Sequence, residues 1–446
     1  MKMKVKVNAF IGFFSGILLL LLSYLNPLYN ISIYIMGFSI IVISAYLLYL
    51  FRNNVGLFIC MFFILYSNYS IVMGVYFFPE IRPDVLYLQV TDKEVYLVGM
   101  RCLFIFMWAL LIFIVNMDIK AYPILELKDA EQKVPYNNVF SLVCMIAVFI
   151  LLITGFQFGT NGARASNTTL YEYRIIPFII GMMYSKKNKV LQALWLILLI
   201  LTCGVSFIGG NRADAIPPVI AYLCIYHPNI KPKKLLIVLV AGCIFMVSIG
   251  VFRASVLQNQ DLSLVFATLI HDKGTFNTAV WAYFPSICTL DLSLKMPFSE
   301  KLSLLLGQVI YIFGGKDFSY YNLTFVSKKY YFHTNGFVSV TYFYFWFGLL
   351  GALLFAWIVF AYIKAVSKRK RHTFSPAFRY ELFIYFVSTV PRWYLYGPYG
   401  IIRGSMLFSI AYFLFCFVSR LLTAKVMHRS IHDNNLSAKT KNQIEL

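Results

Sequence analysis

The sequence predicts an all-α polytopic membrane protein with about twelve transmembrane helices and one large outer-face loop. Three observations predict it. Of 446 residues, 60% are hydrophobic and only 13% charged, against roughly half and a quarter in soluble domains. Phe (43) and Tyr (32) are abundant enough to line both edges of a bilayer. The basic residues fall in short clusters between apolar runs: Lys2/Lys4/Lys6, Lys186/Lys187/Lys189, Lys231/Lys233/Lys234 and Ser367–His372 "SKRKRH".

Apolar segments are expected at Asn8–Leu25, Ile31–Phe51, Val55–Phe78, Val95–Met117, Val139–Phe158, Leu170–Tyr184, Val190–Ile208, Asp214–Tyr226, Leu235–Phe252, Gly336–Val366, Ala377–Val390 and Ile401–Leu422. Most approach the ~20 residues that a bilayer requires. Leu170–Tyr184 and Asp214–Tyr226 are short, so each is expected to be tilted, broken or re-entrant. No small-residue cleavage site follows the first run, which reads as a retained span. With both termini cytoplasmic, every strong Lys/Arg cluster lies inside. The chain then divides into an N-terminal bundle (1–252, about nine spans), a large periplasmic loop (253–335), three C-terminal spans (336–422) and a polar cytoplasmic tail (423–446). Within the loop, Leu302–Phe313 "LSLLLGQVIYIF" reads as an interfacial helix.

The net charge of +21 does not indicate nucleic acid, because no basic stretch is large enough to fold alone. The eight cysteines lack metal spacing. Seven lie in apolar runs, and Cys288 lies in the expected loop. No His/Asp/Glu set has zinc spacing, no phosphate loop is present, and no cofactor is implied.

Positive-inside topology should drain arginine from the outer face. Yet Arg101, Arg164, Arg174, Arg212, Arg253, Arg392 and Arg403 all fall there, several at span edges. Taken singly, each reads as an edge residue that snorkels. Taken together they read as a site for an anion, which the guanidinium fork binds in pairs of hydrogen bonds. The stretch Ser206–Pro218 "SFIGGNRADAIPP" adds Gly209 and Gly210 for a tight turn and exposed amides at a helix start. Of six histidines, only His271 and His333 fall outside. His333 precedes Asn335 and Gly336 where the long loop re-enters the membrane. It is the expected general base, and Asp214 is the fallback.

The architecture, the outer arginines, "GGNR" and the pieces His333-Thr334-Asn335 and Gly348-x-x-Gly351 resemble bacterial O-antigen polymerases of the Wzy type, within the wider polymerase–ligase group. The resemblance covers nearly the whole chain. The spacing between the histidine and glycine pieces is longer than in the ligases. The resemblance implies a GT-C-like fold in the bacterial inner membrane and a metal-independent glycosyl transfer at its periplasmic face. The substrates it implies are glycans on undecaprenyl diphosphate, amid membrane lipids and with a chain-length regulator as a possible partner. Arg212, Arg164, Arg253, Arg392, Arg174 and Arg403 would bind diphosphate. Asn335 would bind acceptor, and Gly209, Gly210 and Gly336 would shape the backbone. An O-antigen ligase, a lipid-linked oligosaccharide flippase, and an envelope acyl or phosphoglycerol transferase stay open as other readings.

The loop charges generate a direct test. A reporter fused after Val256 should report outside and one after Lys370 inside; the same side for both would overturn the span count between them.

Overall fold

A computed structural model describes residues 2–25, 29–78, 90–116, 138–157, 166–167, 173–208, 212–257, 278–333, 336–367 and 376–418. The described chain is helical apart from one antiparallel pair of two-residue strands, Phe156–Gln157 with Ser166–Asn167. The helices are α1 (Lys2–Leu22), α2 (Tyr29–Leu50), α3 (Val55–Ile71), α4 (Lys93–Val115), α5 (Asn138–Thr154), α6 (Ile175–Tyr184), α7 (Lys189–Ile208), α8 (Arg212–Tyr226) and α9 (Pro232–Leu257). They continue as α10 (Thr278–Lys295), α11 (Phe298–Gly314), α12 (Leu323–Ser327), α13 (Ser339–Phe347), α14 (Leu349–Ser367), α15 (Pro376–Ser388), α16 (Val390–Leu395) and α17 (Tyr399–Val418). Among the described residues five helices are long and apolar enough to cross a bilayer: Ile31–Leu50, Val55–Phe77, Lys93–Val115, Lys189–Ile208 and Tyr399–Val418. A helical membrane-embedded protein follows from these; every apolar segment read from the sequence contains helix.

The interior is built on α3, α4, α6 and α10. All ten residues of α6 are buried, so it is covered by protein rather than lipid. Large apolar side chains are exposed along α2, α5, α7, α9 and α17, as expected of helices that face hydrocarbon. Polar side chains cross-link the interior where the bilayer would offer them nothing. The Trp195 indole donates to Ser141 Oγ at 2.9 Å, and Ser141 Oγ donates to the Gly181 carbonyl at 2.9 Å, joining α7, α5 and α6. Tyr394 donates to Asn68 Oδ1 at 2.6 Å and Asn68 Nδ2 to Ser44 Oγ at 3.2 Å, joining α16, α3 and α2.

Two features differ from the sequence reading. Cys288 is not in an open loop: it sits on α10, a helix buried from Ala279 to Leu292 apart from partly covered Trp281. Its sequence carries Pro285, Ser286, Thr289 and Asp291, so it shows no apolar run; it is buried by packing on α3, α4 and α13. Second, Gly336–Val366 is not one helix. Gly348 has φ +58° and ψ −145° and separates α13 from α14. A Cβ at Gly351 would stand 2.0 Å from the Phe343 carbonyl oxygen. The expected interfacial segment lies on α11, whose Leu302, Leu306, Val309, Ile310 and Phe313 form an exposed stripe at helical spacing.

Gly348→Ala and Gly351→Ala should each lower stability by about 1–3 kcal/mol, through backbone strain and overpacking respectively. Gly204→Ala, where a Cβ meets nothing within 4 Å, should be neutral or stabilising. Thermal unfolding in detergent compares the three.

Candidate anion-binding edge

Three segments far apart in sequence meet at one end of the bundle. Arg174 stands at the N-cap of α6 and is buried. Its Nη2 donates to the backbone carbonyl of Asp214 at 2.7 Å. Asp214 lies in the first turn of α8 and is also buried. Its carboxylate is ion-paired with Arg392 Nη2 from α16. The Asp214 side chain is 6% exposed and that of Arg392 24%, so the pair is sheltered on one side and open on the other.

The local sequence accounts for the placement. Helices α6 and α8 both begin at this edge. Each start carries the positive end of its helix dipole, although at α6 the Ile176 N–H is already bonded to the Tyr173 carbonyl and Pro177 has no N–H. Asp214 suits the first turn of α8 for that reason. Its other role is to hold the Arg392 guanidinium in one orientation. Two arginines against one carboxylate, at two helix starts, leave the edge electropositive. Such an edge can bind a phosphate-bearing group without a metal.

The histidine segment is tied to the same helix that bears Arg392. Phe337 N–H donates to the Leu395 carbonyl at 2.6 Å, and Ser339 Oγ donates to the Trp393 carbonyl. Gly336 has φ +149°, and a Cβ there would lie 2.9 Å from Ala282 Cα, so the turn into α13 requires glycine. His333 is buried, with Nε2 2.7 Å from Ser327 Oγ. Ser327 Oγ also donates to the Thr324 carbonyl at 3.1 Å. In the tautomer that satisfies both bonds, Nε2 carries the hydrogen and the basic lone pair is on Nδ1.

The other predicted residues divide. Arg212 opens α8 and Arg253 belongs to α9, but their side chains lie outside the described part, as do Arg164, Gly209, Gly210, His271 and Asn335 entirely. Arg403 is placed elsewhere. Its guanidinium donates to the Tyr311 and Ile312 carbonyls, with Nε at 2.7 Å from Ile312 O, and packs 4.8 Å over the Tyr311 ring. It completes the last carbonyls of α11, a structural use of this arginine. Arg101 does the same for the end of α1: Nη2 donates to Ser23 O at 2.6 Å and Nε to Ser23 Oγ at 3.0 Å. Among the described residues no group of three His, Cys, Asp or Glu is arranged to hold a metal ion.

No family model, curated protein or solved structure matches this chain. Among the described residues, sequence reasoning missed two buried acids: Asp291 on α10, which accepts from Lys295 and Tyr331, and Glu381 on α15, fully buried with no hydrogen-bond partner to either carboxyl oxygen. For Glu381 a single acid inside an apolar run was the available signal.

The Arg392–Asp214 pair can be tested by a double-mutant cycle. Arg392→Ala should cost about 1.5–3 kcal/mol, as loss of a charged hydrogen bond does. In Arg392→Ala/Asp214→Asn the second change should cost far less than Asp214→Asn alone. Additive losses would mean that the two side chains are not coupled.

Proposed function

We propose that this protein polymerises lipid-diphosphate-linked oligosaccharide repeat units at the outer face of the bacterial inner membrane, as the sequence resemblance implies. Support comes from the convergence of Arg174 and Arg392 on Asp214, two residues after Arg212, where two helices begin. That is the chemistry a diphosphate leaving group needs. In the reaction, a hydroxyl oxygen of the acceptor sugar attacks the anomeric carbon of the donor glycan. The bond from that carbon to the undecaprenyl diphosphate breaks, and the diphosphate leaves with the electron pair. Arginine stabilises the charge that develops there, so no strong acid is required. The hydroxyl proton passes to a base. On this reading the base is His333 through Nδ1, its ring oriented by Ser327. Asp214 is poorly suited to be the base, because its carboxylate already holds Arg392. In this reading about twelve spans with cytoplasmic ends form a GT-C-like bundle, α11 lies in the outer interface, and membrane lipids and a chain-length regulator are its partners.

The test is the surface-glycan ladder. A deletion strain should display one repeat unit on its anchor and none longer; no unit at all would point to a ligase or flippase instead. With protein levels unchanged, Arg212→Ala should abolish the ladder and Arg212→Lys restore part of it, since lysine lacks the paired donors. His333→Ala should reduce extension of lipid-linked repeats by ~10²–10⁴-fold and His271→Ala far less. Wild-type extension by purified His333→Ala would place the base elsewhere.

A further inference from the structure

Glu381 is 0% exposed, and neither carboxyl oxygen has a hydrogen-bond partner. Buried polar groups almost always have one, and an intramembrane acid is costly enough to require a reason. Among the described residues its surroundings supply no cation. Arg379, two residues earlier on α15, projects from another face of the helix, as i and i+2 positions do. Lys364 on the neighbouring α14 lies over the Phe360 ring at 5.4 Å. Arg392 is engaged at the opposite edge with Asp214. Among the described residues, the Cys144 thiol on α5 and the Tyr184 phenol on α6 interact electrostatically with Glu381. Cys60 on α3 and Cys224 on α8 are the thiols on two further helices packed against α15. Thiols and phenols bring no positive charge.

The nature of a ligand follows from the space. A metal cation requires several oxygen ligands around it, and among the described residues no second carboxylate, and no trio of metal-ligating groups, stands with Glu381. An organic cation requires a cavity, and both oxygens are sealed by packing. One ligand needs neither room nor further ligands. We propose that Glu381 is a proton-binding site, holding a proton in this packing and releasing it only when the bundle opens a path for water. The carboxylic acid still has an unmet O–H donor, so the residue costs stability against an apolar side chain of similar size. A residue kept only for packing would not be an acid. The proposal does not rest on the polymerase reading, and its readout is not glycan synthesis.

The experiment uses the full chain in lipid nanodiscs. The infrared spectrum of wild type minus Glu381→Gln at neutral pH should contain a carboxylic-acid carbonyl band that shifts down in D₂O. Loss of a carboxylate band pair instead, or an acid band equal in both proteins, overturns the proposal. Glu381→Met gives the same difference spectrum if the Gln variant fails to fold, and its Tm should equal or exceed that of wild type. A Tm lowered in both variants would show that the carboxyl makes stabilising bonds in the packing, and would likewise overturn it.

Discussion

The Asp214 carboxylate is the point on which the candidate site depends. A chain this apolar has few ways to keep charge in its interior, because each charged group must find a partner within the bundle. Asp214 joins Arg392, which is 178 residues away, while its own carbonyl receives Arg174. Three helices, α6, α8 and α16, are thereby brought to one edge. A buried ion pair is weak evidence for stability, since desolvation offsets much of its attraction. Its value lies in register: the guanidinium of Arg392 has one place to be, and that place is beside two helix starts.

The rest of the structure holds α16 so that this pairing can occur. Six residues are too few for a helix to be stable alone. Tyr394 is tied to Asn68, the Trp393 indole donates to the Phe386 carbonyl at 2.8 Å, and the strand-like contact of Phe337 with Tyr396 fixes the outer end. That contact also carries the segment with His333 to the same helix. The break at Gly348 shortens α13 to nine residues, which lets its start follow α16 rather than the longer α14. Helix α16 is thus held by links to α3, α15 and the segment that opens α13.

Much of the helical framework was legible because a bilayer demands long apolar runs, and such runs are visible in a sequence. What was not legible was burial by protein instead of lipid. Helix α10 mixes Pro285, Ser286 and Asp291 with its apolar residues; only the packing of α3, α4 and α13 around it makes it interior. The arginines at the span edges stood out in the sequence, but their uses were not legible. Arg403 and Arg101 complete helix-terminal carbonyls, whereas Arg174 and Arg392 gather at Asp214. An arginine that caps a helix and one that holds an anion look alike until their partners are known. The pairing of His333 with Ser327 crosses a loop of irregular geometry and had no periodicity to announce it.

Helix α6 connects the two unusual polar groups of the bundle and makes their contrast informative. Arg174 is at its N-terminus, and Tyr184, the neighbour of Glu381, is at its last turn. Ten residues rise about 15 Å, so the two sites are at opposite ends of one rigid, fully buried element. At the first end the Asp214 carboxylate has the ion pair with Arg392 against the cost of its burial, and one arginine remains in excess. At the second end a carboxyl has nothing to offset that cost. Selection for stability alone would not retain an unpartnered buried carboxyl. A helix held firmly at the arginine edge and packed against an unsatisfied acid at its other end has only one end where opening lowers a local penalty. Glu381 and the arginine edge are joined by α6, by α8, which packs on α15, and by the continuation of α15 into α16.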